Sequence, residues 1–218
     1  MRIVIAGGHG QIALRLERLL SARGHEVTGV IRNPDHGADV REAGAEPVVV
    51  DLESATAEEV TAVLRHADAA VFAAGAGPGS GIPRKDTVDR GAAVLFAAAA
   101  ERAGVRRFLV VSSMGADARH AGESQFDAYL RAKGAADDYV RSRQNLDWTI
   151  LRPGGLTNDA GTGLVRLSAS TGRGTVPRDD VAATLAELID TPGTAGLTLE
   201  LISGSDPVIV AVRNVAGN

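Results

Sequence analysis

Arg2-Ile3-Val4-Ile5-Ala6-Gly7-Gly8-His9-Gly10-Gln11-Ile12-Ala13 opens the chain, and its reading decides the fold. Arg2 to Ala6 is a short β-branched run that predicts a strand. Ile12, Leu16, Leu19 and Leu20 then recur at the i, i+4, i+7, i+8 spacing of a buried helix face. Gly7 to Gly10 between them predict a tight turn from strand into helix. Glycines there let the backbone take positive φ and approach a ligand, and the free N–H groups at the positive end of the new helix attract a diphosphate. Read as G-x-x-G-x-x-A, Gly7 makes the turn, Gly10 admits the pyrophosphate and Ala13 lets helix and strand pack closely. The spacing is near to the G-x-G-x-x-G dinucleotide fingerprint without matching it in full. A plain tight turn is the other reading.

The next strand, Glu26 to Ile31, bears on which dinucleotide. An NAD site carries Asp or Glu at that strand's carboxyl end to accept from the ribose 2′-hydroxyl, whereas this chain carries Arg32. A guanidinium cannot accept those bonds but clamps a 2′-phosphate bidentately, so Arg32 points to NADP(H); a solvated residue after a strand is the alternative. Asp51, after a third strand at Pro47 to Val50, either accepts from an adenine amino group or caps the following helix.

The chain has 218 residues, 44% of them apolar, which suits one α/β unit spanning 1–218 with a large core. It has no cysteine, so it has no disulfide framework, thiolate metal site or thiol nucleophile. Net charge is −4 and no Lys/Arg cluster occurs, which argues against nucleic acid or an anionic membrane as partner. There is no signal-type leader and no apolar run of about 18 residues, so a cytoplasmic protein acting on a small molecule, as monomer or homodimer, is expected. His9, His25, His36, His66 and His120 lack metal-type spacing. In the glycine turn, His9 is expected to contribute its backbone.

Further strands are predicted at Ala69 to Ala73, Arg107 to Val111, Trp148 to Leu151 and Thr198 to Ile202, with helices near 36–44, 56–65, 86–103, 123–143 and 179–190. This alternation predicts a Rossmann-type, doubly wound parallel sheet with its ligand crevice at the strands' carboxyl ends. Residues 152–218 are expected to form a small cap over that crevice. Within them, Leu164 to Leu167 and Thr171 to Val176 read as turns, and Arg178 and Asp179 as a helix cap or a tie to the crevice floor. Gly75 to Gly81 reads as a mobile loop over the cofactor.

Tyr129-Leu130-Arg131-Ala132-Lys133 is the strongest chemical signal, because the chain has only two tyrosines and two lysines. Residues i and i+4 share a helix face, so the ammonium stands beside the phenol and favours its ionised form. Such a tyrosine can give a proton to a carbonyl receiving hydride or take one from an alcohol losing it. Lys133 can also hold the nicotinamide ribose. A solvent-facing helix pair is the plainer reading.

Gly7/Gly10/Ala13, Arg32, Val111-Ser112-Ser113, Tyr129 with Lys133, Leu151-Arg152-Pro153-Gly154-Gly155 and Arg178-Asp179-Asp180-Val181-Ala182 together resemble the atypical short-chain dehydrogenases/reductases. Within them, the chain is most similar to the NAD(P)-binding, epimerase/dehydratase-like subgroup. The resemblance implies Tyr129 as catalytic acid/base, Lys133 as its electrostatic partner and Ser113 as the hydroxyl polarising the substrate oxygen, with Ser112 the choice if the register slips by one. It also implies Asp89 in the place of a common asparagine, pairing with Lys133; a surface position in a first helical turn is the alternative. Gln11 and Ile12 would meet the diphosphate and Ala73, Ala74 and Gly75 the ribose, and Asp51, Leu52 and Pro153 would also bind the cofactor.

The expected activity is that of an NADP(H)-dependent oxidoreductase moving hydride to or from a small carbonyl or hydroxyl compound. Two alternatives stand beside it. A sugar epimerase or dehydratase would use the same Tyr/Lys pair and regenerate its cofactor each cycle, and a non-catalytic NADP(H) sensor would need the cofactor site alone.

Overall fold

The structure is a computed structural model that describes residues 1–77 and 79–217. Pro78, inside the predicted Gly75 to Gly81 loop, and Asn218, at the end of the predicted unit, lie outside the described residues. Along the chain run β1 (Arg2–Ala6), α1 (Gln11–Ala22), β2 (Glu26–Ile31), α2 (Gly37–Glu42), β3 (Glu46–Val49), α3 (Ala57–Leu64), β4 (Ala69–Phe72), α4 (Gly81–Arg84), α5 (Ala93–Ala103) and β5 (Arg107–Val111). There follow α6 (Gln125–Arg141), β6 (Asp147–Pro153), β7 (Gly155–Thr157), β8 (Leu164–Ser168), β9 (Thr175–Pro177), α7 (Arg178–Ile189), β10 (Leu197–Ser203), β11 (Asp206–Pro207) and α8 (Val208–Ala216). A π-helical stretch, Lys85–Ala92, joins α4 to α5.

The main sheet has the order β11-β8-β10-β6-β5-β4-β1-β2-β3. From β3 to β10 every pairing is parallel, while β8 runs antiparallel to β10 and to β11. Period-2 alternation divides the core between the two faces. Ile3, Ile5, Val71 and Leu109 point to the side covered by α1, α7 and α8, whereas Val4, Ala6, Phe72 and Phe108 point to the side covered by α3, α5 and α6. This is a Rossmann-type doubly wound fold. Strand order reverses at β1, whose neighbours are β2 and β4, so the crevice opens where the chain leaves β1 and β4.

Strands β1, β2 and β5 have the bounds expected from sequence, β4 ends one residue early, and β3, β6 and β10 differ by one or two residues at both ends. The helix expected near 86–103 begins earlier, at Gly81, and passes through the π-helical stretch. Leu164 to Leu167, expected as a turn, is strand β8. Val165 and Leu167 are buried between exposed Leu164 and Arg166, a period-2 signal masked by the glycines and serines around it. Thr175–Pro177, also expected as a turn, is β9 and pairs with β7. Helix α8 was not expected because its run Val208-Ile209-Val210-Ala211-Val212 is β-branched; it is helical because burying Val208, Ala211 and Val212 at i, i+3, i+4 outweighs local propensity. Of residues 152–218, β8, β10 and β11 widen the sheet and α7 and α8 cover one face, while Leu156 of β7 and Arg178 of α7 reach the crevice. Trp148 packs against the core cluster that contains Ile150.

Candidate functional site

Gly7, at φ +80°, turns the chain out of β1, and a Cβ on it would stand 2.6 Å from the Ala74 Cα. The turn is held by Gly7 and Gly8 N–H donating to the Val30 carbonyl and by Gly10 N–H donating to the Gly7 carbonyl at 2.7 Å. Helix α1 then starts at Gly10 with no side-chain cap and no acidic residue in its first turn. Its first amides are therefore free to bind an anion. Gly10, Gln11 and Ile12 line the crevice there.

The crevice consists of two hollows, of about 250 and 580 Å³, that share Gly10, Ala73, Ala74 and Gly75 as a common wall. A Cβ on Gly10 would lie 3.0 Å from the Gly7 carbonyl oxygen on that wall, although the residue's own φ of −66° and ψ of 147° suit any side chain. Gly10→Val is expected to abolish binding of nicotinamide dinucleotides while the protein still folds. Melting temperatures with and without NADPH check this, and a variant stabilised by NADPH as much as the parent would place the diphosphate elsewhere.

The smaller hollow collects His9, Arg32, His36, Asp51, Leu52, Glu53, Arg84 and Val88. Asp51 does not cap the next helix. Thr56 does so, in a reciprocal box with Glu59, and Asp51 Oδ1 instead accepts from the Glu53 N–H at 3.0 Å. Arg32, more than half exposed, donates to Glu53 at 3.3 Å, and Glu53 also accepts from Arg84 at 2.7 Å and from Thr87. Those bonds, Arg84's first among them, hold the Glu53 carboxyl below its usual pKa. His9 contributes more than its backbone, since its ring stacks on His36 at 3.6 Å and pairs with Asp39.

The larger hollow brings Tyr129, Lys133 and Asp89 together. A capping box between Ser124 and Asp127 starts α6, and one turn later Tyr129 and Lys133 face the crevice together. Lys133 is buried; its Nζ donates to the Val111 carbonyl at 3.1 Å and the Ala74 carbonyl at 3.4 Å, and lies 5.9 Å from the centre of the Tyr129 ring. Asp89 is wholly buried, not on the surface, and its Oδ1 stands 3.4 Å from Lys133 Nζ. Burial is the largest influence on Lys133 and pushes its pKa down, but the negative charge that Tyr129, Asp89 and Asp137 can place around it outweighs burial and raises the pKa above the usual lysine value. The ammonium thus stays charged inside the protein.

The serine lining the hollow is Ser112; Ser113 and Pro153 are not among its lining residues. Both serines follow Val111, the last residue of β5, and adjacent residues in extended chain point to opposite sides. Ser112 Oγ donates to Asp137 at 2.9 Å, and the same carboxylate oxygen accepts two bonds from Arg152. Burial raises the Asp137 pKa against the pull of Arg152. Ser113 Oγ bonds only the Met114 carbonyl, and the Pro153 carbonyl accepts from the Met114 N–H.

Lys85, Gln125, Phe126, Leu156 and Arg178 complete the larger hollow. Of these, only Arg178 had been singled out from sequence, and it does not cap α7; it donates to Asn158 at 2.9 Å. Asp179 instead ties Arg15 of α1 and the Gly161 N–H to the start of α7. Nothing in a single sequence shows that a π-helical turn brings Lys85 to 5.5 Å from the centre of the Tyr129 ring.

Residues 7–192 match the model of the NAD(P)H-binding family. The chain is a member of that family. As an NAD(P)H-binding protein of the atypical short-chain dehydrogenase/reductase type, it is 34% identical over 216 residues to YhfK of Bacillus subtilis, which bears the name of an uncharacterized sugar epimerase, covering 99% of this chain and all of that one. It is similar to the structure of a Bacillus halodurans protein assigned to the NAD-dependent epimerases/dehydratases, with 37% identity, a TM-score of 0.90 and coverage of 98% and 99%. It is also similar to the oxidoreductase ylbE of Lactococcus lactis, with 28% identity, a TM-score of 0.88 and coverage of 100% and 98%. Among the described residues, no helix of this family member is long and apolar enough to cross a membrane.

Proposed function

We propose that the chain is an NADP(H)-dependent oxidoreductase for a small carbonyl or hydroxyl compound, built as one unit in which residues 152–218 supply part of the substrate-side wall. The observation that carries this reading is the buried, Asp89-paired Lys133 beside Tyr129, in a hollow that shares its wall with the glycine turn. The first-turn amides of α1 would hold the diphosphate, Arg32 a 2′-phosphate, Asp51 and Leu52 the adenine end, and Lys133 the nicotinamide ribose. The bound nicotinamide supplies or accepts a hydride. In reduction, the Tyr129 hydroxyl gives its proton to the substrate oxygen as that oxygen becomes an alkoxide. Lys133, fixed by the Val111 and Ala74 carbonyls, stabilises the phenolate left behind. Asp89 orients the ammonium and balances its charge. Ser112, the serine that lines the hollow, would polarise the substrate oxygen by exchanging its bond to Asp137 for one to the substrate.

Progress of the reaction is read from nicotinamide absorbance with a panel of aldehydes, ketones and quinones, and net consumption of NADPH is expected. Conversion of sugar nucleotides without net consumption would favour the epimerase reading suggested by the names of the relatives. NADPH is expected to bind more tightly than NADH. Arg32→Ala should cost about 1.5 to 3 kcal/mol for NADPH and leave NADH unchanged. Because Glu53 holds Arg32 in the free protein, Glu53→Gln should tighten NADPH. Equal affinities of the parent for the two cofactors, measured by calorimetry, would overturn the assignment.

A further inference from the structure

Lys85 is one of only two lysines in the chain, and both stand within 6 Å of the Tyr129 ring: Lys85 Nζ at 5.5 Å and Lys133 Nζ at 5.9 Å. Lys133 has Asp89. Lys85 is 7% exposed and gives one proton to the Gly77 carbonyl at 2.7 Å, but among the described residues it has no carboxylate partner. A buried ammonium without a counter-charge is costly, and two of its three donors remain for a ligand. Arg178, on the same hollow, bonds the neutral Asn158 amide and likewise pairs with no acid among the described residues. The hollow therefore sets Lys85, Lys133 and Arg178 against Asp89 alone, in a chain whose net charge is −4.

The cofactor's diphosphate does not account for Lys85, since the α1 amides serve it and Lys85 stands at the Tyr129 end. Apolar surface opens beside it. Phe126 is 62% exposed and stacks on Tyr129 at 5.9 Å, and Leu156 of β7 is 40% exposed on the same hollow. Exposed large apolar side chains lining a concave site mark ligand surface.

We propose that the substrate is a carboxylate-bearing carbonyl compound with a flat apolar body. Lys85 binds the carboxylate, the body lies against Phe126 and Leu156, and the carbonyl reaches Tyr129. This names the substrate class for the oxidoreductase reading and rests on it. The test uses protein loaded with NADP⁺, so that nothing turns over, and calorimetry with 4-carboxybenzaldehyde and with its neutral counterpart methyl 4-formylbenzoate. The acid is expected to bind about tenfold or more tightly than the ester. Lys85→Met should erase that difference while leaving affinity for the ester and for NADP⁺ in place, and Lys85→Arg should retain most of it. Equal binding of acid and ester, no saturable binding of the acid, or a Lys85→Met loss confined to NADP⁺ would overturn the proposal, the last making Lys85 a cofactor contact. A separate assay with NADPH keeps the two readings apart. Lys85-dependent binding of the acid with no reduction of either aldehyde would uphold the anion site and remove the oxidoreductase reading.

Discussion

Tyr129→Phe is expected to lower kcat by about 10²- to 10⁴-fold on any substrate the protein turns over, with NADPH affinity nearly unchanged. The substitution removes one oxygen and keeps the ring, so stacking on Phe126 survives while the proton donor is lost. Lys133→Met should behave differently. It removes the charge beside the phenol and the ribose donor together, and it leaves Asp89 buried without its cation, so kcat, cofactor affinity and stability should all fall. Asp89→Asn separates these effects by keeping the shape and removing the negative charge. Steady-state kinetics with parallel NADPH titrations check the set, and full activity in Tyr129→Phe would remove Tyr129 from the chemistry.

The second large effect concerns stability. Glu17 lies in the middle of α1 with no exposure, and neither carboxyl oxygen has a hydrogen-bond partner among the described residues. Its carboxyl rests against β2, where a Cβ on Gly29 would come 2.7 Å from Oε1. Burial raises its pKa from 4.5 to about 8, against the opposing pull of Arg18. Because the folded value lies above the unfolded one, the stability linked to this proton is complete below about pH 4.5 and is lost as pH rises to about 8. The loss is on the order of 3 to 5 kcal/mol. Glu17→Gln keeps the shape and cannot ionise, so it should flatten the decline and be the more stable protein at pH 9. Urea unfolding of both proteins from pH 5 to 9 measures this, and parallel curves would show that Glu17 finds a partner in solution.

The fold was legible where local signals agree with the global arrangement. Ile3, Val4 and Ile5 have no polar alternation because both faces of β1 are covered, and Gly7 after them takes the positive φ of a tight turn. Tyr129 and Lys133 were legible because helix geometry alone puts i and i+4 on one face. Signals that depend on partners distant in sequence were less clear. Val208 to Val212 look like strand until α8 finds the apolar face it covers. Ser112 and Ser113 are adjacent, and only the packing of the chain just after β5 decides which of them lines the crevice. Asp89 could be read equally as surface or site, and its burial follows from the π-helical stretch packing against α6. Arg32 was visible as a cation after β2, but Glu53, which holds it, comes from beyond β3.

A crystal structure with NADPH bound tests the central claim most directly. The diphosphate should lie on the first-turn amides of α1 at Gln11 and Ile12, the adenosine 2′-phosphate on Arg32 in place of Glu53, and the nicotinamide ring in the larger hollow with its reactive carbon facing the Tyr129 hydroxyl. A nicotinamide turned away from Tyr129, or a diphosphate seated anywhere but the glycine turn, would contradict the account.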